Sequence, residues 1–141
     1  MGLFSKLFNR NKPKINLETT IKEDMNNKFI VPEKYNADRI WACNQYINRY
    51  MESIHIDSND EHLNNWNKGR LHAYNTLLLK LKELNSAEIL EFAKCEAESV
   101  RLGEYSAFNS GMYEVYRTFS TIDMKQLVQS ERLKTKPKYN N

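Results

Sequence analysis

Apolar side chains recur at helical spacing along most of the chain. Ile40, Cys43, Ile47, Tyr50, Met51 and Ile54 follow one another at three- and four-residue steps, with Trp41 and Tyr46 widening the stripe. Such steps gather side chains on one face of a 3.6-residue helix. Asn36 is a favoured N-cap and Asp38 complements the dipole of a first turn, so a helix is predicted over residues 36–56. Asp57-Ser58-Asn59-Asp60 breaks the pattern, and a second helix over 60–84 places Leu63, Trp66, Arg70, Ala73, Leu77, Leu81 and Leu84 in register. At Leu84–Ile89 the chain turns without glycine: Asn85 caps, Glu88 stands at the third helical position, and Leu84 can pack on Ile89. That is a capping box with a hydrophobic staple. A third helix is predicted over 86–119 through Ile89, Ala93, Ala97, Val100, Ala107, Phe108, Val115 and Phe119, with Gly103 or Gly111 as points of interruption. Ser120–Asp123 is a further cap signal, and Met124, Leu127, Val128 and Leu133 mark a last helix over 121–133.

The expected fold is therefore all-α, a bundle of three to four amphipathic helices over residues 36–133. Four glycines and three prolines are too few to mark the turns of a sandwich or barrel. Ahead of the bundle, residues 1–35 read as an N-terminal amphipathic segment and arm. Leu3, Phe4, Leu7 and Phe8 share one helical face, a two-turn stretch that is marginal alone and is expected to bury itself in lipid, a partner's groove or the bundle itself. Pro32 biases the residue before it away from the α region, so Phe29-Ile30-Val31 reads as extended. Residues 134–141 read as a basic, flexible tail.

Charge changes this picture more than bulk composition does. The net charge is +3, yet residues 1–14 carry Lys6, Arg10, Lys12 and Lys14 without an acid, and the tail carries Arg132, Lys134, Lys136 and Lys138 after the last acid, Glu131. The 13 basic and 18 acidic residues between them give a mildly acidic body with basic ends. Lys6, Arg10, Lys12, Lys14, Lys134, Lys136 and Lys138 are thus expected to contact a polyanion, either nucleic acid or an anionic membrane surface. Cys43 and Cys95 lie inside helical patterns and read as reduced, partly buried thiols. With no signal-peptide h-region and no apolar run of spanning length, the expected location is cytoplasmic, or in a particle assembled from the cytoplasm.

Candidate chemistry is sparse. His55 and His62 bracket an acidic turn, but two imidazoles seven residues apart across a helix break do not set a metal geometry, and His72 reads as a surface residue. Glu88, Glu91, Glu96 and Glu98 lack the inward Glu-x-x-His pairing of a di-metal bundle and read as a solvated face. No catalytic, metal or cofactor set is predicted, nor a small-molecule substrate, so the chain reads as a non-enzyme. A stripe of small residues stands out instead. Gly103, Ala107 and Gly111 are four apart, and glycine inside a helix costs about 1 kcal/mol against alanine. Close approach of another backbone would compensate. Tyr105, Phe108, Met112 and Tyr113 border the stripe, and the set is expected to form an interface, more between chains than within one. The style is similar to that of small phage- or mobile-element proteins: short, helical, and rich in asparagine and lysine. The expected function is a helical interaction protein, a subunit of a larger assembly or an adaptor, binding a protein partner or itself as a homo-oligomer. The alternatives are a small inhibitor or ligand-sequestering protein of anti-defence type, and a peripheral membrane protein anchored by residues 2–8.

Overall fold

A computed structural model describes residues 30–135. Five helices make up 77% of them, without strands: α1 Glu33–Glu52, α2 Glu61–Lys80, α3 Ser86–Arg101, α4 Ala107–Ser120 and α5 Met124–Thr135. The all-helical bundle expected from periodicity is present. Its count of three to four helices is corrected to five among the described residues, because the stretch over 86–119 is two helices.

The break lies at Leu102–Ser106, between α3 and α4. Ser106 is extended and its hydroxyl accepts the Asn109 N–H at 3.0 Å, so it caps a new helix rather than continuing the old one. The Asn109 amide also donates to the Glu104 carbonyl at 2.8 Å, fixing the connection from its far side. Gly103 therefore sits in the connection and not on a helical face with Gly111.

The first helix also differs from expectation. It opens at Glu33 behind Pro32 (φ −53°, ψ 135°), not at Asn36. Proline's fixed φ suits a helix start, and its missing N–H costs nothing there. The Asn36 side chain serves another helix, accepting the buried Ser86 N–H of α3 at 2.7 Å. Asn85 accepts from the Ala87 and Glu88 N–H groups at 2.9 and 2.8 Å, while Glu88 accepts the Asn85 N–H at 2.8 Å, the capping box foreseen from sequence. Asn85→Ala should cost about 1 kcal/mol of stability, measured as a fall in urea midpoint at unchanged slope.

The core gathers apolar faces from all five helices: Ala42, Cys43 and Ile47 of α1, Ala73 and Leu77 of α2, Ile89 and Phe92 of α3, Val115 and Phe119 of α4, and Leu127 and Val128 of α5. Chiefly α2 packs on α4, α4 on α3, and α1 on α5. Two glycines set the α2–α4 distance. A Cβ on Gly111 would run into the Trp66 carbonyl of α2, and one on Gly69 into the Phe108 carbonyl of α4. Backbone meets backbone at two points of one crossing. The close approach expected at Gly111 is thus made within the chain, which corrects the intermolecular reading there. The reason is that α2 carries its own glycine facing α4.

Candidate functional site

The residues singled out for an interface divide into two groups. Gly111 is buried in the α2–α4 crossing, and the Phe108 backbone closes on Gly69 while its ring lies 5.6 Å from that of His72. Met112 and Tyr113 are half-buried against the core, and Ala107 opens α4 half-buried. Gly103 and Tyr105 lie outside the fold's interior, and Tyr105 is 83% exposed. Leu102, not singled out in the sequence, is 72% exposed beside them.

These last residues build one surface. α3 ends on the exposed pair Glu98–Arg101, whose hydrogen bond holds the Glu98 carboxyl below its ordinary range and raises the Arg101 guanidinium. The chain then presents Leu102 and Tyr105 on a connection pinned by Ser106 and Asn109. The same connection walls a cleft of about 250 Å³ lined by Val100, Arg101, Glu104, Tyr105 and Tyr113 among others. The surface offers two projecting apolar side chains, a recess, and both signs of charge.

Elsewhere the candidate chemistry folds inward. Tyr46 and Tyr50 of α1 lie 4.7 Å apart between ring centroids, Tyr50 stacks on Tyr74 of α2 at 6.1 Å, and Tyr46 meets Phe119 of α4 at 6.1 Å. Burial raises the Tyr46 and Tyr74 hydroxyls. These tyrosine rings are thus packed largely against one another. Cys43 and Cys95 are both buried, and burial pushes the Cys43 thiol up to about 12, so it holds its proton at neutral pH. His55, His62 and His72 are all exposed, and among the described residues no group of three or more His, Cys, Asp or Glu is placed to hold a metal.

One feature escaped the sequence reading. Glu131 of α5 is wholly buried and accepts from both terminal nitrogens of Arg49 of α1, with Lys134 at 3.5 Å from its second oxygen. The pairing raises the Arg49 guanidinium, chiefly through the hydrogen bond. A signal existed. Met124, Leu127, Val128 and Glu131 follow the i, i+3, i+4, i+7 rule, which places this carboxylate on the core face.

Of the polyanion contacts, Lys134 lies in the last turn of α5 beside Glu131; Lys6, Arg10, Lys12, Lys14, Lys136 and Lys138 lie outside the described residues, as do the anchor residues Leu3, Phe4, Leu7 and Phe8. Among the described residues no helix is long and apolar enough to cross a membrane. Comparison with protein-family models, with curated proteins and with solved structures finds no match for this chain.

Proposed function

We propose that the chain is a non-enzymatic helical interaction protein, a subunit of a larger assembly, which associates with a second copy through the α3–α4 connection. One observation carries this reading: Leu102 and Tyr105, 72% and 83% exposed, project beside a recess on a connection that hydrogen bonds hold in place. Large exposed aromatic and apolar side chains can anchor an interface, and Tyr contributes large contact area at low entropy cost.

Self-complementarity favours a second copy as partner. A two-fold interface brings the same patch together from both sides, so it needs knob and hole, cation and anion, on one surface. Here Leu102 and Tyr105 are the knobs and the 250 Å³ cleft is the hole, with Arg101 and Glu104 both at its rim. Light scattering on the full chain should give a mass above the 16.7 kDa of one copy, rising with concentration. The variant Leu102→Ser/Tyr105→Ser should return it to one copy with unchanged helical content, since neither side chain supports the core. A variant that associates as strongly as the wild type contradicts the assignment.

A further inference from the structure

From the charge and shape of a second surface we infer that the cleft between α1 and α5 binds the phosphate backbone of single-stranded nucleic acid. It lies on other helices than the α3–α4 connection and does not rest on the self-association reading.

The cleft is about 470 Å³, walled by Lys34, Tyr35, Asp38 and Arg39 from the first two turns of α1 and by Lys125 and Arg132 among the α5 residues. Residues 30–135 hold 13 basic and 15 acidic side chains, so their net charge is negative. Four of those basic residues nevertheless line this one recess against a single acid. Asp38 is engaged by Arg132 at 2.8 Å. Asp123, two residues before Lys125, accepts the Gln126 N–H at 3.1 Å. Lys34, Arg39 and Lys125 form no ion pair with a described carboxylate. Like charges gathered on an otherwise acidic body repel one another, and an anionic ligand relieves that repulsion.

Two observations select the kind of anion. First, the recess is concave, so a flat bilayer surface does not enter it. Second, Tyr35 is 53% exposed at the cleft, with the Arg39 guanidinium 5.9 Å from its ring centroid. An exposed aromatic ring beside cations is the pairing that single-strand binders use, stacking a base while cations hold the phosphates.

The test is fluorescence anisotropy of a labelled oligodeoxythymidylate with the full chain. Lys34→Gln/Lys125→Gln is compared with Lys68→Gln/Lys94→Gln, a pair of exposed lysines on α2 and α3 that changes net charge equally. The cleft pair should weaken binding about tenfold, and its log–log salt slope should shrink by about 1.4, or about 0.7 for each phosphate no longer neutralised. The remote pair should change affinity by less than about twofold, since it touches no bound phosphate. Tyr35→Ala should weaken oligonucleotide binding several-fold while leaving binding to inorganic polyphosphate unchanged. Equal losses from the two lysine pairs would overturn the inference. So would a wild type that binds phosphatidylserine vesicles or polyglutamate but not the oligonucleotide.

Discussion

Replacing Gly111 with alanine is expected to destabilise the protein by about 3 kcal/mol, the upper end for an overpacked core, despite the about 1 kcal/mol that alanine gains as a helix former. The obstacle decides the size. The added methyl meets the Trp66 carbonyl, with that carbonyl carbon at 3.0 Å and the Arg70 nitrogen at 3.1 Å, so relief requires moving the α2 backbone and not a side-chain tip. Gly69→Ala should cost a similar amount, because its methyl meets the Phe108 carbonyl from the opposite side of the same crossing. For a domain of this size the loss is about 10 °C in melting temperature. Gly103→Ala is the control. Its nearest neighbour would be the Val100 oxygen at 3.5 Å, and its φ is not positive, so the change should be neutral or stabilising by up to about 1 kcal/mol. A costly Gly103→Ala beside a harmless Gly111→Ala would show that the helices do not cross at these glycines.

Arg49→Met should be as damaging, by about 3 kcal/mol, for an electrostatic reason. Glu131 is wholly buried and Arg49 is 39% exposed at its side chain, so the two partners are not equivalent. Without Arg49 a carboxylate is left in the core with only Lys134 near it, and removing one partner of a buried pair typically costs about 3–5 kcal/mol. Glu131→Gln should cost less, since Arg49 reaches solvent once released. The double replacement Arg49→Met/Glu131→Leu should recover most of the loss, because well-packed apolar residues often match a buried ion pair. Chemical denaturation of Arg49→Met, Glu131→Leu and the double closes the cycle, and single losses that simply add in the double would mean that the pair is not coupled.

The helices were legible wherever apolar spacing and cap chemistry agreed. Asn85 and Glu88 announced the start of α3, and the acidic run 57–60 announced the connection before α2, where Asp60 accepts the Leu63 N–H at 3.2 Å. The α3–α4 break was half legible: Gly103 was one of two expected points of interruption and lies in it, but Val100 and Ala107 stand seven apart, two full turns, so the apolar phase runs unbroken across it. Only Ser106, a good N-cap in the middle of the pattern, marked the restart. The cost of glycine correctly pointed to close packing at Gly111. It did not say with what, since one helix's need for contact does not name its partner, and the matching Gly69 lay in a different periodic segment. The candidate site was half legible. Tyr105 and Gly103 were picked out by the small-residue stripe, yet they form a surface because they left the helix, not because they share its face. Leu102 went unseen, because periodicity reports what a helix buries and is silent on what a connection displays. The cationic cleft was out of reach for a related reason: Lys34 and Lys125 are 91 residues apart in sequence and meet only through the packing of α1 on α5.

The proposed contact surface can be read directly by placing a benzophenone side chain at position 105 in the full chain and irradiating the protein in solution. A second protein, carrying the same group in place of the exposed Lys94 of α3, provides the comparison. A covalent product at twice the 16.7 kDa of one copy is expected from position 105, and little or none from position 94. Equal yields from the two positions, or no product from position 105, would contradict the assignment.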